Sequence, residues 1–344
     1  MTPSSLPFDF GIPVLRHIHP DAALVGQKLD AWATAVGLAA SPREQARMRA
    51  AGFHLIAARI LHDAPFEAVE LFAQWVAFLF HLDDQQDEGP MGQSADTVHA
   101  VYNTLTSIID GRPTAPSTAP AATALTDLWP RTATGLSPAW RERIRGHLLS
   151  HRDAFLTQIH HRDHGTVPTP DDYPALRRDA NGMFMFDLVE AVLHTEVPAR
   201  LAGGPIWQEM CEASNDITAW CNDLLSLARE AAAGESTNYV IVLTHATGCD
   251  TTAAVDQVRK HIQTRYRRLT DLRSRLTPHL DALPSTRQAT TAYTADAICA
   301  MPGTQLAWLA ESGRYLALPH PPARHTHPGP ADGSELTKLR QCHT

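Results

Sequence analysis

The sequence predicts an all-α fold in a single large domain, and three observations carry that reading. The chain of 344 residues is rich in Ala and Leu and modest in Gly, and it offers few runs of alternating β-branched residues. Apolar residues recur at helical spacing through long segments. Those segments are punctuated by Ser-Pro and Thr-Pro starts and by Gly stops, which is the punctuation of helices.

Residues 1–20 read as extended. Asp21–Val36 is the first helix, and Pro42–His62 the second, opened by Ser41 as N-cap with Pro42 in the first turn. The third, Phe66–Leu82, carries Leu71, Phe72, Trp75, Val76, Phe78, Leu79 and Phe80 around most of its circumference and is therefore buried. Asp96–Asp110 follows, stopping at Gly111-Arg112-Pro113, then a loop over 113–122 and a short helix to about Trp129. Ser137-Pro138 opens a long helix to about Arg162, and Thr169-Pro170 opens one that runs through Arg177 and Met185 to about His194. Pro205–Ala233 is long and closed by Gly234. Asn238–His245 is short and apolar, and Thr251–Leu280 is long and basic on one face. Thr286–Met301 and Gly303–Tyr315 complete the ordered part. No repeat or linker divides residues 21–318, so they count as one domain. Residues 319–344 hold five prolines and no periodicity, and read as a mobile tail.

Composition removes several classes of function. The formal net charge is −8, and no Lys/Arg stripe could track a phosphate backbone, which excludes a nucleic-acid partner. No apolar run reaches bilayer length, and Met1–Pro20 lacks a basic-then-apolar leader pattern. The five cysteines contain no Cys-x-x-Cys pair and read as reduced thiols. Together these predict a cytoplasmic protein with no stable membrane insertion.

The apolar third helix ends in an unusual way, running into Asp83, Asp84, Asp87 and Glu88. Asp83 and Asp87 are four apart, Asp84 and Asp87 three apart, so the carboxylates share a face at a helix end that is already partially negative. That arrangement is unfavourable as a structural element unless a cation sits there, although an acidic turn is also ordinary solvated surface. A second set lies in Asn222-Asp-Leu-Leu-Ser-Leu-Ala-Arg-Glu230, where Asn222, Ser226 and Glu230 fall within roughly an 80° arc of one helix. Amide, hydroxyl and carboxylate oxygens on one stripe suit a hard divalent ion. Ala219, Leu224, Leu225 and Leu227 flank the stripe, so it is not merely the wet face.

With Asp83-Asp-Gln-Gln-Asp87 and the triad Asn222, Ser226 and Glu230, nearly the whole ordered chain resembles the class I terpene synthases, the bacterial terpene cyclases in particular. The resemblance implies a helical bundle around a central apolar cavity. It makes Asp83, Asp84, Asp87, Asn222, Ser226 and Glu230 the metal ligands for three Mg²⁺ ions, with Mn²⁺ as a substitute. Arg177 resembles the arginine that senses diphosphate, 45 positions before Asn222 and one short of the usual family interval. Ala180 and Asn181 then fall at the linker and effector positions of a helix break. Arg229 matches a basic residue aimed at diphosphate, Arg314-Tyr315 the C-terminal Arg-Tyr pair, and Trp308 an aromatic of the cavity wall. Leu79, Phe80 and Phe184 are the other expected wall residues. Leu79 replaces a usual aromatic, Gln86 stands where many relatives carry one, and Ala180 lacks the polar side chain of the usual linker.

The implied reaction is ionisation of a linear prenyl diphosphate, with farnesyl diphosphate the first choice and the geranyl and geranylgeranyl esters left open. The cation would become a cyclic terpene hydrocarbon or alcohol, and diphosphate would be released. A homodimer is left open. Three rival readings remain. A chain-elongating prenyltransferase would need a second aspartate-rich motif where Asn222…Glu230 stands. A zinc hydrolase would need a glutamate in His160-His161-Arg162-Asp163-His164, which has none. A non-catalytic helical scaffold would need neither oxygen set.

Overall fold

Every regular element among the described residues is helical. The computed structural model describes residues 9–15, 17–87, 89–113 and 118–316. The predicted tail over 319–344, Glu88 and the first eight positions of the N-terminal segment lie outside them. In chain order the helices are α1 Ala22–Ala35, α2 Pro42–Ala51, α3 His54–Ile60, α4 Phe66–Asp87, α5 Ala95–Ile109, α6 Pro120–Ala133, α7 Pro138–His164 and α8 Tyr173–Ala180. They continue as α9 Phe184–Val192, α10 Ala199–Ala202, α11 Pro205–Ala233, α12 Tyr239–Thr247, α13 Thr251–Asp281, α14 Ser285–Leu309 and α15 Gly313–Leu316. A 3₁₀ turn over Pro90–Gln93 joins α4 to α5.

Helix α4 is apolar around most of its circumference because it packs against α1, α3, α6 and α9. Phe72, Trp75 and Phe78 are almost fully buried there, each ring contributing ~1.5–3 kcal/mol of transfer free energy. The Trp75 indole N–H donates to Thr132 Oγ1 at 2.8 Å, tying α4 to α6. Helix α11 is the second axis, packed on α13, α14, α8 and α12. Between these axes, α3, α4, α9, α11 and α14 all contribute side chains to one interior cavity.

The helix starts follow local chemistry. Ser41 and Glu44 form a reciprocal capping box, and Ser94, Ser137 and Asp250 each accept a backbone N–H three residues on. Several stops depart from the sequence expectations. The segment expected as one helix over Pro42–His62 is broken at Gly52, whose φ of 65° closes α2. Helix α4 does not end at Leu82 but continues to Asp87, so Asp83, Asp84 and Asp87 occupy its last turns rather than a following loop. The helix expected from Thr169 to His194 breaks after Ala180. Gly182, at φ 82°, adopts a conformation costly for other residues, and an added Cβ would sit 2.8 Å from Leu79 Cδ1. The stop expected at Met301 is absent: one helix runs through Pro302 to Leu309, and the span expected to continue to Tyr315 breaks there before α15. Proline cannot donate to the carbonyl of Ile298, and the Ser214 hydroxyl of α11 supplies that hydrogen bond at 2.6 Å. Helix α6 extends past Trp129 to Ala133, and the single-turn α10 has no expected counterpart.

Candidate active site

Two helix faces meet at one cavity mouth. Asp83 and Asp87 from the end of α4, and Asn222 and Glu230 from α11, line the same pocket with Arg177, Arg229 and Tyr315. The mouth runs into a more apolar interior cavity lined by Ile56, Ile60, Phe72, Val76, Met185 and Met301, and both spaces share Leu79, Phe80, Asn181 and Gln305. The site is polar at its entrance and hydrocarbon-lined beneath.

Two connections span the mouth. Arg229 places Nη2 3.8 Å from Asp87 Oδ2 on one bank and 3.7 Å from Glu230 Oε1 on the other. The adjacent pair Arg314-Tyr315 does the same with two side chains. Arg314 donates to Asp84 Oδ1 at 2.6 Å and Asp83 Oδ2 at 3.2 Å. Asn222 Nδ2 donates to the Tyr315 hydroxyl at 2.8 Å. Glu311, three positions before Arg314 in the sequence, pairs with Arg59.

The carboxylates are crowded. The Asp83 side chain retains 40% exposure, but that exposure faces the cleft. Burial raises its pKa, against the pull of Arg314 and with reinforcement from Asp84. Burial first, and then Asp83, push Asp87 up to about 8. Burial also raises Glu230, whose Oε2 accepts from Asn238 Nδ2 at 2.8 Å. Carboxyls held above their ordinary range by low solvation and mutual repulsion form a site that an added cation would relieve. Among the described residues no group of three or more His, Cys, Asp or Glu side chains is placed to hold a metal ion by itself. The donors lining the mouth are single carboxylates and a neutral oxygen, Asn222 Oδ1 and Glu230 on α11 and Asp83 and Asp87 on α4, with Ser226 Oγ buried beside Asn222 on the same stripe. Such a set fits magnesium, which keeps waters and substrate phosphates in its shell.

Behind the α11 stripe lies a residue to which the sequence reading gave no role. Asp223 is fully buried and accepts from Arg177 Nε at 2.8 Å, from the Tyr173 hydroxyl at 2.6 Å and from the Tyr239 N–H at 3.3 Å. Burial works against the Arg177 charge, but Asp223 outweighs it and the guanidinium pKa is raised. Arg177 Nη2 also donates to Asn222 Oδ1 at 3.1 Å. Asp223 sits inside the same motif as Asn222, one residue and about 100° further round the helix, and that adjacency was the available signal.

The expected wall residues divide. Leu79 and Phe80 line the cavity. Phe184 does not line it: it packs against Trp75 and His151 and borders a separate small void. After the break at Gly182 the register restarts, and Met185 and Phe186 face the cavity instead. Trp308 also lies off the wall, fully buried behind Phe80 and Tyr315, with its indole N–H donated to Ala51 O at 2.6 Å. Asn181 lines both spaces, Ala180 reaches the mouth, and Ser226 is buried with its hydroxyl donated to Asn222 O at 2.8 Å.

Residues 74–268 match the family model described as terpene synthase family 2, C-terminal metal binding. The chain is 29% identical over 311 residues to (2Z,6E)-hedycaryol synthase of Kitasatospora setae, covering 89% of this chain and 91% of that protein. It is 30% identical over 246 residues to a (+)-T-muurolol synthase of Roseiflexus castenholzii, covering 71% and 75%. A solved hedycaryol synthase in complex with HEPES superposes with a TM-score of 0.75 at 26% identity, over 88% of this chain and 97% of that one. The linalool/nerolidol synthase of Streptomyces clavuligerus in complex with 2-fluorogeranyl diphosphate gives 0.76 at 25%, over 85% and 99%. Fold and site define a class I terpene synthase, a lyase acting on a prenyl diphosphate. The chain belongs to the terpene synthase family 2. No helix among its described residues is long and apolar enough to cross a membrane.

Proposed function

We propose that this enzyme ionises farnesyl diphosphate and folds the resulting allylic cation into a cyclic sesquiterpene. The observation that carries the reading is the pair of connections across the mouth, Arg229 and Arg314-Tyr315, each reaching both oxygen banks. One diphosphate seated there meets hydrogen-bond donors from α8, α11 and α15 together, Arg177, Arg229 and Arg314-Tyr315. Asp83, Asp84, Asp87, Asn222, Ser226 and Glu230 are the residues that would hold Mg²⁺, three ions on the family pattern. Those ions, when bound, supply the positive charge that lets an anionic leaving group depart.

The chain's own residues do the rest. Arg177, Arg229, Arg314 and the Tyr315 hydroxyl present hydrogen-bond donors to the diphosphate oxygens as the carbon–oxygen bond breaks and its electron pair stays with the leaving group. Asp223 keeps Arg177 charged and oriented toward the mouth. Below, Ile56, Ile60, Phe72, Val76, Met185 and Met301 hold the isoprenoid chain folded and keep bulk water away from the cation. Phe80, 5.3 Å from the Arg314 guanidinium, already serves as a face for positive charge. It would stabilise a neighbouring carbocation by roughly 0.5–2 kcal/mol. Farnesyl diphosphate is favoured because two of the relatives carry "(2E,6E)-farnesyl diphosphate cyclizing" in their names. The neighbour bound to 2-fluorogeranyl diphosphate keeps geranyl diphosphate as the second reading.

The test is incubation with geranyl, farnesyl and geranylgeranyl diphosphate in turn, with Mg²⁺ and with the ion chelated. Diphosphate release is measured, and volatiles are identified by gas chromatography and mass spectrometry. Magnesium-dependent release with a cyclic C15 product is expected. Release only from geranyl or geranylgeranyl diphosphate would overturn the substrate, and no release from any of them would overturn the reading.

A further inference from the structure

The interior cavity is not uniformly apolar. Gln305, on α14, lines both the diphosphate-side pocket and the hydrocarbon cavity, and its amide has no hydrogen-bond partner among the described residues. Two further polar groups line the hydrocarbon cavity with it. The Asn181 amide nitrogen donates to Asn215 Oδ1 at 2.7 Å, leaving Asn181 Oδ1 to accept. Thr218 Oγ1 donates to Ser214 O at 2.7 Å and keeps its lone pairs. A primary amide left unpaired at a greasy wall is costly, and buried polar groups are ordinarily satisfied by protein or by ordered water.

The framework fixes the height of these groups. Ser214, Thr218 and Asn222 form one stripe on α11. The Ser214 hydroxyl anchors α14 at the Ile298 carbonyl, while Asn222 is tied to Tyr315 just beyond the end of α14. Helices α11 and α14 therefore rise side by side toward the mouth, and Thr218 lies one turn, about 6 Å, below Asn222. That depth is within the hydrocarbon part of a substrate whose diphosphate sits at the mouth.

Building on the proposed cyclase reaction, we propose that Gln305, Thr218 and Asn181 hold one water molecule against the folded chain, and that the enzyme terminates with it to release a terpene alcohol. The water accepts from Gln305 Nε2 and donates to Thr218 Oγ1 and Asn181 Oδ1, which leaves one oxygen lone pair for the cation. That pair forms the new carbon–oxygen bond. The oxonium then loses one proton to the departed diphosphate, so the product carries the water oxygen and one of its hydrogens.

The experiment runs the wild-type enzyme with farnesyl diphosphate and Mg²⁺ in H₂¹⁸O and analyses volatiles by mass spectrometry. An alcohol carrying one ¹⁸O is expected as a principal product. In Gln305→Leu the alcohol fraction should fall roughly tenfold in favour of hydrocarbon, the scale of one lost positioning hydrogen bond, and Thr218→Val should lower it less. Hydrocarbon alone from the wild type would overturn the proposal, as would an alcohol without ¹⁸O, which marks cleavage at phosphorus. An unchanged alcohol fraction in Gln305→Leu would also overturn it. Should that variant fail to fold, the labelling result and Thr218→Val decide. Failure of diphosphate release from every substrate would overturn the cyclase reading itself, a different outcome from release with an unhydroxylated product.

Discussion

Changing Asp223 to Asn removes one buried charge and strands the other. Asp223 is wholly buried, and the Arg177 side chain is only 12% exposed. Apart from Asp223, Arg177 has a single hydrogen bond among the described residues, to the neutral amide of Asn222 at 3.1 Å. Taking one partner from a buried pair costs ~3–5 kcal/mol, because the remaining ion has lost its solvent and its countercharge together. The cost here should fall near the lower limit. An asparagine can still accept the Arg177 Nε–H bond, and the Tyr173 hydroxyl can turn fully to its second acceptor, Thr237 O at 3.2 Å. Asp223→Asn should therefore lose about 3 kcal/mol of unfolding free energy in urea titrations followed by circular dichroism. Adding Arg177→Gln removes the stranded cation. The double variant should recover a coupling of ~1.5–2 kcal/mol while remaining inactive, since the diphosphate donor is gone. An unchanged urea midpoint in Asp223→Asn would refute the reasoning, as would single-variant costs that add within ~0.5 kcal/mol.

Gly182→Ala should destabilise by ~2–4 kcal/mol, measured the same way, from its φ of 82° and a Cβ pressed 2.8 Å from Leu79 Cδ1. It should also alter the product mixture, because Leu79 is a cavity wall. Burial holds His151 neutral, with its pKa lowered to about 3. The unfolded chain takes up a proton below about 6.5 that the native state refuses. Stability from this residue is thus complete above that pH and falls by ~1.4 kcal/mol per unit on acidification toward 3. A Tyr102→Phe/His151→Phe variant, which removes the 2.6 Å bond between the two rings' polar atoms, should flatten the urea-monitored pH slope between 6.5 and 4.5 by about one proton. Asp83→Ala and Asn222→Ala should each abolish diphosphate release and leave the helical circular dichroism intact.

The oxygen banks were legible in the sequence because both are helical repeats. Asp83 and Asp87 are four apart, as are Asn222, Ser226 and Glu230, and a helix turns such spacing directly into a shared face. That the two faces meet was not local information: it rests on Arg229 and Arg314-Tyr315 reaching across the mouth. The misplaced boundaries have the same origin. Pro302 reads as a helix stop unless Ser214, 88 positions earlier in the chain, is known to satisfy Ile298. Once the break at Gly182 resets the helical phase, Phe184 turns to the core and Phe186 to the cavity. Trp308 has the right type and spacing for a wall residue, but Phe80 stands in front of it. Gln305 carries no signal in its own neighbourhood. Its interest comes from the apolar side chains that three other helices, α3, α4 and α9, bring around it.

The central claim is that both banks grip one diphosphate. Calorimetric titration of inorganic pyrophosphate into the full-length protein, with and without Mg²⁺, tests it without any turnover. The account predicts magnesium-dependent binding in the wild type that is lost in Asp83→Ala and lost again, independently, in Asn222→Ala. Undiminished binding in either variant, or equal binding with the metal chelated, would contradict it.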